Sequence, residues 1–141
     1  MDINRKVIEG KIDIIERNLR FLEQYKEMGL KEFEKSYKDI QAVKYSLLEI
    51  VESCVDIANH IISVRGYRRA EKYSEIFQIL GEENVINPKL SETMQKMAKF
   101  RNLLAHRYGE IENKRILEIV KNNLKDVKEF EKEIEKKILK E

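Results

Sequence analysis

The stretch from Phe33 to Ile62, FEKSYKDIQAVKYSLLEIVESCVDIANHII, decides the fold. Phe33, Tyr37, Ile40, Val43, Leu47, Ile50, Cys54, Ile57 and Ile61 recur in steps of three and four, the spacing of one helix face. From the midpoint a second row runs beside it: Leu48, Val51, Val55, Ala58 and Ile62. One apolar row packs a helix against one neighbour, whereas two rows require burial on two sides. The C-terminal half of this helix is therefore either central in a bundle or shared with a second subunit. Gly66 is placed to end it.

The same period extends outward in both directions. Ile8, Ile12, Ile15, Leu19 and Leu22 form an earlier amphipathic helix, for which Gly29 is a natural stop. After Gly66 a shorter piece runs from about Ala70 to Leu80, closed by Gly81, and a loop leads to Pro88. Pro88 suits the first turn of a new helix with Leu90, Met94 and Met97 as its apolar face, and Gly109 suits its end. Ile116, Val120, Leu124, Val127, Ile134 and Ile138 make a last amphipathic segment, whose Lys/Glu-rich end is expected to fray. The expectation is all-α: an up-and-down bundle of four long helices and one short one, with residues 1–141 as a single domain.

Composition agrees with that architecture. The 141 residues have the length of one domain and can bury a real core. Charged residues reach 38%, against roughly 25% in typical soluble proteins, while one Pro and five Gly leave long helices with solvated Glu/Lys faces uninterrupted. A net charge of +2 excludes a strongly basic nucleic-acid domain, so any RNA contact must come from a local arrangement. The single cysteine, Cys54, excludes an intramolecular disulfide and a cysteine-based zinc site, and its place in the apolar row marks it as a small buried hydrophobe. The charged start lacks the apolar core of a secretory signal, and no apolar run approaches the roughly 20 residues of a membrane span. A cytoplasmic protein without membrane contact is expected.

Polar residues concentrate where the apolar pattern should continue. Arg101 follows Met94 and Met97 in one helical row, at a position suited to a core residue. Asn102 and His106 are four apart and share a face. Arg101 and His106 are five apart, which turns them about 140° from one another on an uninterrupted helix. One chain would not grip a single phosphate with both. A two-fold axis near this segment would bring two copies of each into one cleft.

Arginine and histidine suffice for RNA cleavage without a metal or other cofactor. One imidazole takes the proton from a ribose 2′-hydroxyl, and a second, from the partner chain, protonates the departing 5′ oxygen. The guanidinium holds phosphate oxygens and the charge that grows on them in the transition state. Asn102 would orient the histidine or bind phosphate. The need for a 2′-hydroxyl selects RNA over DNA, and a 2′,3′-cyclic phosphate is the expected product end. The bland alternative is a helix C-terminus whose solvated histidine complements the dipole.

Arg101-x4-His106-x-Tyr108 resembles the Arg-x4-His-x-Tyr signature of HepT-like proteins, a branch of the HEPN superfamily. Val55 to Ile62 is similar to that family's central helix, Tyr73 to Leu80 with Val85-Ile86 to its short helix and following turn, and Phe100-Arg101-Asn102 to its entry into the motif. The resemblance covers about residues 37 to 120. It implies a helical homodimer acting as a ribonuclease toxin, with a minimal nucleotidyltransferase as antitoxin. It implies Arg101 and His106 as the catalytic pair, Asn102 in support, and Tyr108 as the residue to which the antitoxin transfers AMP. A nucleotide attached there adds negative charge and bulk that would repel RNA.

Asp56 and His60, four apart on the central helix, are candidates for supporting one another or the cleft, or for satisfying polar groups at a dimer seam. With no second His or Cys at ligand spacing, no metal site is expected at His60. Arg65, Arg68 and Arg69 read either as an RNA-tracking patch or as a charge complement to a helix C-terminus. The competing function is a non-catalytic helical subunit that binds nucleotide or substrate for a nucleotidyltransferase.

Overall fold

The computed structural model describes residues 2–106 and 111–140. All regular structure among them is helical: α1 (Arg5–Leu22), α2 (Leu30–Glu34), α3 (Tyr37–Arg65), α4 (Tyr73–Glu82), α5 (Pro88–His106), α6 (Asn113–Asn122) and α7 (Leu124–Ile134). A 3-10 turn at Glu23–Tyr25 continues α1, and a π turn at Glu135–Leu139 continues α7.

These seven helices replace the expected four long and one short, for local reasons. Ser36 interrupts the first row of the decisive stretch by capping α3: its hydroxyl accepts the Asp39 N–H at 3.1 Å, which leaves α2 as a separate turn. Asn123 breaks the last segment into α6 and α7, while Ile116, Val120, Leu124, Val127, Ile134 and Ile138 stay on the buried side as the period required. The C-terminal turn, for which the sequence suggested fraying, is helical and packed on the core. Ile138 and Leu139 are buried, Arg5 donates to the Leu139 carbonyl, and Lys137 donates to the Asn84 carbonyl at 3.1 Å.

α3 is the axis of the molecule, about 43 Å long at 1.5 Å per residue. α1 packs along it, and α4 and α5 fold against one another and against its C-terminal half. Most of both apolar rows is used within the one chain: Val51, Val55, Ala58 and Ile62 are each no more than 8% exposed, whereas Leu48 is half-buried and Tyr37, early in the first row, is exposed. From Val51 to Ile62 the second row is thus buried by the chain itself and is not left for a second subunit. Gly66 ends α3 in the left-handed region (φ 68°), and the Tyr67 N–H reaches back to the Ile62 carbonyl at 3.0 Å.

Polar pins set the register of this core. Buried Asn18 on α1 donates to Glu49 at 3.0 Å and accepts from the Ser46 hydroxyl at 2.7 Å, both on α3. At the other end, Asn87 caps α5 by accepting the Leu90 N–H at 2.8 Å, with Pro88 as the first helical residue. Gly81 does not close α4 as expected but lies inside it. A Cβ there would stand 2.6 Å from the Ser91 hydroxyl of α5, and that hydroxyl donates to the Phe77 carbonyl at 2.9 Å. The turn itself is made by Asn84, at φ 59°. Gly109, the expected end of α5, lies outside the described residues.

Candidate functional site

α5 carries Arg101, Asn102 and His106 on one continuous helix. Leu104 and Phe100 face the core, which fixes the rotation of this last stretch. That rotation turns Arg101 inward to a half-buried position and leaves Asn102 and His106 exposed. The divergence expected from five-residue spacing follows from the helix running unbroken through both positions. Tyr108 lies outside the described residues.

Arg101 stands in a core row, and a buried charge there must be paired. Its side chain is only 15% exposed, and its Nε donates to Glu52 Oε1 of α3 at 2.6 Å. The guanidinium carbon lies 4.3 Å from the centre of the Tyr73 ring at the start of α4, a cation–π contact. Nη1 also approaches Asn102 Oδ1 at 3.4 Å. Three helices therefore fix one fork: α5 supplies it, α3 pins its Nε, and α4 places an aromatic face against it. A fork pinned at Nε keeps its terminal nitrogens for a further anion.

Sequence reasoning missed Glu52 and Tyr73. The available signal for Glu52 was a carboxylate flanking the second apolar row, one turn after Leu48 and next to Val51. It is the natural counterpart of the misplaced cation at position 101. Tyr73 offered only its place at the head of the short helix.

Beside this fork opens a groove of about 830 Å³ between the end of α3, the connection that follows it, and α5. Asn59, Tyr67, Arg69, Lys72, Lys99 and Asn102 line it, together with Tyr73. The three arginines of the sequence cluster part company here. Arg69 faces the groove. Arg68 is committed elsewhere, with both Glu82 oxygens at 3.0 Å and Glu75 at 3.4 Å, and these carboxylates raise its already high pKa. Arg65 is the last residue of α3, in the turn where a cation complements the helix dipole.

Asp56 and His60 face α1. Asp56 accepts from Lys11 at 2.9 Å, and His60 Nε2 accepts the backbone N–H of Asn4 at 2.9 Å. Asn4 in turn caps α1 through its side chain. The two residues thus fasten the first turns of α1 to the central helix, each through its own partner. Cys54 is fully buried, and burial pushes its thiol far above the ordinary range. Among the described residues no group of three His, Cys, Asp or Glu side chains is arranged to hold a metal, and no helix is long and apolar enough to cross a membrane.

Comparison with known proteins matches this whole framework. An mRNA nuclease HepT from Shewanella oneidensis is 28% identical over 124 residues, 88% of this chain and 92% of that protein. A tRNA nuclease HepT from Aphanizomenon flos-aquae is 26% identical over 112 residues, 79% of this chain and 76% of that protein. The tri-AMPylated Shewanella oneidensis HEPN toxin, solved in complex with MNT antitoxin, superposes with a TM-score of 0.87 at 27% identity, covering 95% of this chain and 100% of that one. A toxin–antitoxin crystal structure with AMP-PNP gives the same TM-score at 26% identity, covering 94% and 100%. The family described as ribonuclease HepT-like matches residues 15–134, from the middle of α1 to the end of α7, and this chain belongs to it.

Proposed function

We propose that this chain, as one HEPN-like domain over residues 1–141, is the ribonuclease toxin of a toxin–antitoxin pair and cleaves RNA with Arg101 and His106. Membership of the ribonuclease HepT-like family supports the activity, and the fixed fork of Arg101 is the observation that carries the assignment of the site. An arginine held by Glu52 and Tyr73 is preorganised for the negative charge of a pentacoordinate phosphate. Exposed His106 at the end of the same helix serves as base toward the 2′-hydroxyl. The 2′ oxygen attacks phosphorus, the 5′ oxygen leaves with a proton from a second imidazole, and a 2′,3′-cyclic phosphate remains. Asn102, in contact with Arg101 and exposed beside the groove, binds phosphate or orients the imidazole.

The angle between Arg101 and His106 requires two chains to complete each site, so the active species is a homodimer in this reading. In this reading its seam lies outside the Val51–Ile62 part of the second row, which the chain itself buries. Leu103 on α5 and Tyr45 on α3, both exposed, offer apolar surface on the two helices that meet at Arg101. The partner that silences the toxin is a minimal nucleotidyltransferase transferring AMP to Tyr108. A relative solved as a tri-AMPylated toxin bound to an antitoxin supports this partner.

Purified protein should cleave RNA in the presence of a chelator and leave 2′,3′-cyclic phosphate ends. Arg101→Ala and His106→Ala should each lower cleavage by at least 100-fold with the fold intact, in the range of about 10²–10³ for loss of a charge-stabilising group and about 10²–10⁴ for loss of a general acid–base group. Undiminished cleavage in both variants would overturn the assignment. A soluble dimer that binds RNA or nucleotide without cutting would favour the non-catalytic subunit.

A further inference from the structure

The groove beside Arg101 has features the cleavage chemistry does not use. Its described lining carries three cations, Arg69, Lys72 and Lys99, against one carboxylate, Glu71. In a chain with a net charge of only +2, this is a local concentration of positive charge. None of the three cations makes an ion pair with a described residue, whereas neighbouring Arg68 is held by two carboxylates. Tyr67 and Tyr73 add aromatic faces to the wall.

The groove is also continuous with the fork. Tyr73 both lines it and lies against the Arg101 guanidinium at 4.3 Å. Asn102 both lines it and approaches Arg101 Nη1 at 3.4 Å. A strand whose phosphate sits on Arg101 therefore has one ready path away from it, past Asn102 and Lys99 toward Arg69 and Lys72.

We propose that this groove seats a single-stranded RNA segment adjoining the cleaved phosphate, with its phosphates on Arg69, Lys72 and Lys99 and a base against Tyr67. The inference rests on the ribonuclease reading and extends it to the form of the substrate. Cations that track a backbone interleaved with aromatic faces are the chemistry by which single strands are bound. At about 830 Å³ the groove falls among sites that enclose ligands, roughly 300–1,000 Å³. That suits a few unstacked nucleotides. A duplex, met through its wide and shallow minor groove, would not enter.

The test measures binding and cleavage separately on the full-length protein. The binding probe is a short all-2′-O-methyl single strand, which cannot be cut, and the same sequence as a duplex. Each phosphate contact on a single strand contributes about 0.7 to the slope of log affinity against log salt. The Arg69→Ala/Lys72→Ala/Lys99→Ala triple variant should lower that slope by about 2 and weaken binding at least tenfold at physiological salt. On cleavable RNA the loss should appear as a raised KM. The control Lys121→Ala/Lys125→Ala/Lys132→Ala, on α6 and α7, should leave all three readouts unchanged.

Circular dichroism checks folding, and if the triple variant is unfolded, Lys72→Ala and Lys99→Ala alone should each lower the slope by about 0.7. An unchanged slope and KM would overturn the proposal. So would equal affinity for the duplex, or loss of dimer or antitoxin binding with RNA affinity intact, which would give the groove to a protein partner. If the wild type binds the strand with the expected slope but cuts no RNA, the groove stands and the ribonuclease reading fails.

Discussion

At the scale of the residue, the chain spends three side chains on holding one guanidinium. Arg101 is 15% exposed at its side chain, so its charge depends on Glu52 for compensation. Glu52→Ala leaves that charge half-buried and unpaired. The expected cost is about 1–3 kcal/mol of stability, read from urea denaturation, together with at least a tenfold fall in RNA cleavage. Glu52→Ala with wild-type stability and cleavage would show that the pair matters to neither. Tyr73→Leu keeps bulk but removes the π face, and should cost about 0.5–1 kcal/mol and loosen the fork in the same direction. How much of this was legible follows from distance along the chain. Arg101 announced itself because a cation stood in the row of Met94 and Met97. Its partner is 49 residues away on another helix, where no local period can point to it. The Arg65, Arg68 and Arg69 cluster was open to two readings for the opposite reason. The residues after Gly66 are not helical, so neighbours in sequence face different surroundings, and Arg68 and Arg69 separate into an ion-pair network and a groove wall.

At the scale of the element, periodicity gave the helices and capping chemistry gave their ends. The paired rows of α3 were readable because a 3.6-residue period survives over 29 residues and because Gly66 has the left-handed geometry that only its missing side chain makes cheap. The breaks at Ser36 and Asn123 were not readable from the rows, since the apolar spacing continues across both. Gly81 shows the limit of treating glycine as punctuation. It is there because α5 approaches too closely for a Cβ, at 2.6 Å from the Ser91 hydroxyl and 2.8 Å from its Cβ. Gly81→Ala should therefore destabilise the protein by about 1–3 kcal/mol despite alanine's better helix propensity. The double variant Gly81→Ala/Ser91→Gly, which removes the opposing atoms, should recover most of that loss in a thermal melt. Failure of the second change to rescue the first would place the strain elsewhere. Ser36→Ala, at an N-cap with no such crowding, should cost about 1 kcal/mol.

At the scale of the whole molecule, the seam between α7 and α1 contains a carboxylate that burial should keep protonated. Glu131 on α7 is 7% exposed, and its carboxyl is pushed up to about 9. Burial is the main cause, followed by its hydrogen bond to Glu16 of α1 and by the negative charges of Glu16 and Glu135. In the unfolded chain the same group titrates near 4.3. The folded protein thus binds one more proton than the unfolded chain between those values. Its contribution to stability is fully present below about pH 4 and is lost as pH rises through about 9. Other carboxylates oppose this trend only in acid. Stability measured by urea denaturation should therefore fall between pH 6 and pH 9, although the net charge of +2 is small at neutral pH. Glu131→Gln keeps the shape and a donor toward Glu16 but removes the titration. It should flatten the profile and raise stability at pH 8 by on the order of 1–3 kcal/mol. Because Glu131 is not among the partners of Arg101, which are Glu52, Tyr73 and Asn102, cleavage by the variant should keep the wild-type rate. A wild-type profile already flat from pH 6 to pH 9, or a variant less stable than wild type at pH 8, would mean that Glu131 is ionised in the fold and is compensated by cations such as Lys128.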